Sequence, residues 1–479
     1  MHEFPLVWFL VAFVSYTALL FLVSHLTSRG AGSGSFFSGG RKAPWPVVAY
    51  GMVGASISGV SFISVPGNVW VQNFFYMPMV LGFVVGYIII AKALLPLYYR
   101  KNLTSIYTYL GERFGRKSEK TGTVVFMISR LLGAAVRIFV VILVFQSFLP
   151  GKWGSGTWEF AVIAAVFLAL LYLYTYKGGV KTIIWTDVLQ TTFMLLAVGL
   201  TIQFISKEMA LSGGALIDRA RTYAAWFDWD WSHGTNAVKQ FVSGIFVTIA
   251  MTGLDQSMMQ KNLACKDIKA AQKNMYTTAG IIVAVNLFFL LMGALLCVYT
   301  GSLGGLDALG VTKTDQIYPT IASRYFSVAA GVIFLIGLIS AAYPSAGAAM
   351  TSITTSVCVD LLKTEEVRKR KLIHAIVAAA FLIIIVALYM LSNDAVINLV
   401  YKLASYTYGP LLGLFFFGIL TKRRLRDGAA PWIALAAPLL CLALNLAGKR
   451  WLGFDLGFSL LIVNGLLSFS GLWIFSKKK

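Results

Sequence analysis

Long apolar runs dominate this chain, and their length decides what it can fold into. Thirteen can be drawn, at 5–27, 46–70, 77–99, 122–149, 158–176, 183–206, 238–259, 275–299, 325–360, 372–392, 395–420, 431–447 and 455–476. A hydrocarbon layer about 30 Å thick takes about 20 helical residues per crossing. No water reaches the backbone there, so a segment of this length spans as a helix that bonds its own amides. The expectation is an all-α integral membrane protein with about 13 transmembrane helices. Composition excludes the main alternatives. Hydrophobic residues make up 58% and charged residues 12%, against about 45–50% and about 25% in soluble domains. A soluble enzyme and a disordered scaffold are therefore excluded. The first run starts at Pro5 without a basic leader or a small-residue cleavage site, so it is expected to be a retained helix.

The formal charge of +21 would point to nucleic acid in a soluble protein. Here it reports basic loops, and no nucleic-acid partner is expected. Threading the chain through a bilayer puts 27 Lys and Arg residues on one side and nine on the other. Four more, Lys92, Arg130, Arg137 and Lys402, fall within the runs. The positive-inside rule then sets the C-terminus in the cytoplasm and the N-terminus outside, in the cell (inner) membrane. Lys261 and Cys265 are counted in a Lys-rich cytoplasmic loop. The four cysteines show no disulfide or metal spacing, and the four histidines are scattered at span ends and in loops. No nucleophile–base or metal-ligand motif is present, so no enzyme is expected.

Two spans are not ordinary membrane anchors. The second carries Gly51, Gly54, Gly59, Pro66 and Gly67 together with Ser56, Ser58, Ser61 and Ser64. Glycine costs about 1 kcal/mol and proline about 3 in a helix interior. Such a helix is either broken around an ion site, as in many secondary transporters, or packed closely through small residues. In the ninth span Ala341, Ser345, Ala348 and Ser352 share one face. Pro344 there frees the carbonyl of Ser340. Hard cations take oxygens of this kind; the alternative is a tight helix contact. In the fourth span Arg130 and Arg137 are seven residues apart, within about 20° of one another around the helix. Intramembrane charge costs at least about 2.5–3.5 kcal/mol, so each needs a cavity or a partner. Arginine binds carboxylate bidentately, which fits an anionic solute; the alternative is a structural ion pair. Lys402 is expected to snorkel to the outer interface.

Four ordered motifs carry a resemblance. They are Leu103-Thr-Ser-Ile-Tyr-Thr-Tyr-Leu-Gly-Glu-Arg-Phe114, Gly178-Gly-Val-Lys-Thr-Ile-Ile-Trp-Thr-Asp-Val-Leu-Gln190, Asp255-Gln-Ser-Met-Met-Gln-Lys-Asn-Leu-Ala-Cys-Lys266 and Ser405-Tyr-Thr-Tyr-Gly-Pro-Leu-Leu-Gly413. With the second and ninth spans they resemble the sodium/solute symporter family, whose members move sugars, proline, iodide or sialic acid with sodium. The resemblance runs over roughly residues 5–476. It implies a LeuT-like five-plus-five inverted repeat with broken second and seventh spans, the latter breaking near Gly244 to Gly253. The corresponding division is an extra helix and first cytoplasmic loop (1–44), a first repeat (45–206), an extracellular loop (207–237), a second repeat (238–420), and two C-terminal helices with a basic tail (421–479).

The resemblance also implies a role for individual residues. Sodium would be held by the carbonyls of Gly54 and Ile57, by the carbonyl of Ala341, and by the hydroxyl of Ser345. Pro344 stands where a second hydroxyl is usual, and the Ser340 carbonyl or water is a candidate replacement. Some relatives hold a second sodium. Its aspartate matches Asp187, but its serines fall at Gly347 and Ala348, so one sodium per cycle is expected. Asp187 is then either on a cation path or paired near Lys181. Substrate contacts would fall at Ser58 and Ser61, with Arg130 or Arg137 on an anionic group. The arginine of the sialic acid relatives falls at Gly133, one turn from each. A substrate-touching glutamine falls at Val80, and the hexose-type Glu-Gln pair falls at Val60 and Ser61, so a close copy of a sialic acid or hexose site is not expected. The implied function is sodium-coupled import of a small, anionic organic solute by alternating access. A neutral sugar or amino acid, or a degenerate carrier or sensor with weakened coupling, remains the alternative.

Overall fold

The computed structural model describes residues 5–28, 33–57, 59–147, 156–391, 394–452 and 457–478, and within them the side chains of 33–35, 60, 147, 394–405, 449, 451–452 and 458 are not described. Among the described residues, nine helices are long and apolar enough to cross a membrane, or eleven when two bent pairs are each counted as one span. The two remaining apolar runs contribute shorter described helices, Tyr406–Leu420 and Leu460–Ile474. Val7, Ile383 and Trp432 are 66%, 70% and 73% exposed on the outer faces of their helices. Lipid accommodates such faces; water does not when they are this extensive.

The bent pairs are the second and seventh spans, as the resemblance implied, but the seventh bends at residues 254–255, just past the Gly244 to Gly253 stretch expected. Trp45–Ser56 and Ser61–Gln72 meet at 55°, and Ala237–Gly253 and Gln256–Leu263 at 67°. Local chemistry explains the seventh. Asn236 starts it by accepting from the amides of Val238 and Lys239 at 3.1 and 3.2 Å. A π turn over Ile249–Gly253 loosens the ladder. Asp255 is extended and caps the next helix, accepting from the amides of Ser257 and Met258 at 2.8 and 3.2 Å. The third and seventh spans cross where glycine faces glycine. A Cβ on Gly82 would lie 2.2 Å from the Phe241 carbonyl oxygen, and one on Gly244 2.2 Å from that of Met79.

The ninth span differs from a broken helix. Val328–Ser356 is continuous with Pro344 inside it, followed by a π turn over Val357–Leu361. It is buried from Leu338 to Ser356. Neighbouring helices, not lipid, surround the freed carbonyl, which is the setting in which a membrane proline is tolerated. The fourth and sixth spans, Arg116–Gln146 and Gly179–Glu208, flank it. One departure from all-α architecture is small: Arg424–Leu425 pairs antiparallel with Ser476–Lys477.

Candidate functional site

The break in the second span is held by the sixth. The Gln190 side-chain amide donates to the carbonyl oxygens of Gly54 at 2.6 Å and Ile57 at 3.1 Å. Thr191 accepts from the Gly54 amide at 3.0 Å and donates toward the Tyr50 and Asp187 carbonyls at 2.9 and 3.0 Å. The two carbonyls expected to meet sodium are thus brought to one point. Just beyond the break, a Cβ on Gly59 would lie 3.6 Å from the Ala341 Cβ, so the ninth span packs against this place. Ser345 follows one turn on and is buried at 7% exposure. The Ser340 hydroxyl is turned along its own helix, donating to the Gly337 carbonyl at 2.7 Å. The Tyr343 carbonyl beside the proline accepts from the Tyr174 hydroxyl at 2.8 Å. Gln190 was missed by sequence reasoning. Its signals are its place at the end of the 178–190 motif and a run of polar residues, Gln190-Thr-Thr192, inside an apolar span.

Asp187 does not pair with Lys181. Its Oδ2 lies 2.6 Å from the Nζ of Lys261, and both side chains are almost wholly buried. Lys261 is therefore no loop residue. The 67° bend turns Gln256–Leu263 back into the protein, and every residue of that short helix is buried. Cys265 is buried with it, and the preceding Ala264 carbonyl accepts from the Ala43 amide at 3.0 Å.

The two arginines part company. Arg130 is buried, with its guanidinium 3.7 Å from Asp255. Asp255 also accepts from the Tyr408 hydroxyl at 2.8 Å. The acid that neutralises Arg130 comes from the bend of the seventh span, so Arg130 has the structural partner that its position demanded. Arg137, two turns along the same helix, makes no ion pair among the described residues, and its Nε is buried without a hydrogen-bond partner. Ser61 is half-buried at the start of Ser61–Gln72, the second half of the bent second span. Ser58 and the side chain of Lys402 lie outside the described residues.

A family model described as the sodium:solute symporter family matches residues 36–433. The chain is 25% identical over 449 residues to the sodium/sialic acid symporter of Proteus mirabilis (strain HI4320), covering 88% of this chain and 86% of that one. It is 24% identical over 434 residues to the human sodium/iodide cotransporter, covering 84% and 65%. Its fold superposes on a sodium-coupled sialic acid symporter solved in a substrate-bound, outward-open state, with a TM-score of 0.82 at 19% identity over 98% of this chain and 99% of that one. Mhp1, a nucleobase-cation-symport-1 transporter, gives a TM-score of 0.60 at 15% identity over 91% and 94%. The architecture is thus LeuT-like, sodium is the coupling ion, and the chain belongs to the sodium:solute symporter family.

Proposed function

We propose that this chain imports a small organic anion with one sodium ion, by alternating access across the cell (inner) membrane, with its N-terminus outside and its C-terminus in the cytoplasm. The observation that carries the anion is Arg137. Arg137 is half-buried, makes no ion pair among the described residues and has a buried Nε without a hydrogen-bond partner, and a carboxylate offers such a guanidinium a bidentate partner. Arg130 already has Asp255. The solutes named for the relatives, sialic acid, iodide and monocarboxylates, are anions at neutral pH.

Sodium would sit at the break of the second span, on the carbonyls of Gly54, Ile57 and Ala341 and the hydroxyl of Ser345, with the Ser340 carbonyl in reserve. Supporting this reading are the convergence of the Gly54 and Ile57 carbonyls on Gln190 and the approach of the ninth span at Ala341. Residues 45–206 and 238–420 would form the two repeats, with Ser58 and Ser61 facing solute. The test is uptake by Arg137→Lys, which loses the planar two-donor fork. The Michaelis constant for the solute should rise by at least about tenfold, worth about 1.4 kcal/mol, with sodium binding unchanged. Normal uptake by this variant, or a neutral transported solute, contradicts the anion assignment.

A further inference from the structure

Lys261, the partner of Asp187, lines a small cavity together with Val180, Ile183, Ser257, Gln260, Ala348 and Thr351. The sixth, seventh and ninth spans therefore meet there. The oxygens at this meeting are unusually unsatisfied. Both carboxylate oxygens of Asp187, Oε1 of Gln260 and the hydroxyl of Thr351 are buried with no hydrogen-bond donor. Gln260 uses its amide nitrogen on the Thr355 hydroxyl at 3.1 Å, which leaves its carbonyl end without a donor. Lys261 Nζ touches Asp187 at 2.6 Å but outside hydrogen-bond angles. Carboxylate, amide and hydroxyl oxygens gathered on three helices are the ligand types of a hard cation, and a tethered ammonium is present among them.

A second sodium does not fit the chain as it stands. Ala348 brings no oxygen to the cavity. A Cβ at Gly347 would lie 2.3 Å from the Tyr174 hydroxyl, so a side chain there requires that ring to shift. Two positive charges beside one buried carboxylate would also leave a net charge uncompensated. We infer that Lys261 is a built-in cation: its ammonium permanently fills a second cation position of this carrier, and that position takes a sodium ion only when the lysine's charge is removed. This inference rests on the sodium-coupled reading above.

Equilibrium binding of radioactive sodium to the purified full-length chain in nanodiscs, at about pH 8 so that a carboxylate is ionised, decides it. Wild type should bind one sodium per chain. Lys261→Met, which keeps the stem and removes the charge, should bind two. Asp187→Asn combined with Lys261→Met should return to one, since the anchoring carboxylate is gone. A single sodium in folded Lys261→Met overturns the inference and leaves the symport reading intact. Should Lys261→Met not fold, Lys261→Gln serves in its place: two sodium ions per chain support a lysine-filled position, and one overturns it. No sodium bound by any of the three overturns both this inference and the sodium-coupled reading.

Discussion

Ser345 is the side-chain oxygen left at the implied sodium site, since Pro344 occupies the neighbouring position. A hydrogen bond or dipole contact to a charge contributes about 1.5–3 kcal/mol, so Ser345→Ala should weaken sodium activation of uptake by roughly 10- to 100-fold. Solute affinity at saturating sodium should change less. An unchanged sodium activation curve would move the site elsewhere. Gln190 makes a second prediction. Its amide satisfies two buried carbonyls, and leaving such groups unpaired costs about 1–3 kcal/mol each. Gln190→Leu should therefore unfold at a lower temperature without sodium and gain more from adding it than wild type does. Equal sodium-induced shifts would show that Gln190 and sodium do not share those carbonyls. Residue roles were the least legible part of the sequence. The roles proposed for Ser345 and the Gly54 region follow from the resemblance; the small residues themselves marked only an unusual helix. Gln190 and Lys261 could not be given roles. A polar side chain in a helix can face any neighbour, and only the packing chooses Gly54 and Ile57 for one and Asp187 for the other.

At the scale of elements, the bend of the seventh span does the most. Asp255 ends one helical segment, caps the next, accepts from Tyr408 and neutralises Arg130. Asn at this position can still cap, but it leaves a buried guanidinium without its countercharge, at a cost of about 3–5 kcal/mol. Asp255→Asn should lower thermal stability by that order, and Arg130→Met in the same protein should recover much of the loss. Strictly additive losses in this double-mutant cycle would mean that the pair is not coupled. The bend itself was not readable from apolar periodicity. Residues 238–259 read as one span, and only the resemblance placed a break there; the cause is a capping aspartate and a π turn, and a single acid near the end of an apolar run reads as a flank. The same blindness put Lys261 in a loop, because a lysine after an apolar run counts as a flank until the chain is seen to fold back. Pro344 shows the converse: a strong helix-breaking signal in the sequence, and a continuous helix in the structure, because buried neighbours surround the freed carbonyl.

For the whole molecule, the all-helical membrane class was legible because the bilayer leaves the backbone few choices; among the described residues nine helices, or eleven with the bent pairs, meet the length of a crossing, against the thirteen expected. What the charge arithmetic adds is a prediction about energy. A tenfold sodium gradient contributes about 1.4 kcal/mol per ion, and 100 mV contributes about 2.3 kcal/mol per net charge moved. One sodium with one monoanion moves no net charge. Uptake should then follow the sodium gradient and ignore an imposed membrane potential, with accumulation near tenfold for a tenfold gradient. Two sodium ions would make the cycle electrogenic. The most direct test of the account is therefore accumulation of labelled carboxylates by proteoliposomes of this chain, with sodium or choline outside and with or without a potassium diffusion potential. The account predicts concentrative uptake of a monocarboxylate in sodium, none in choline, and no change when the interior is made negative. Equal uptake in sodium and choline would contradict it.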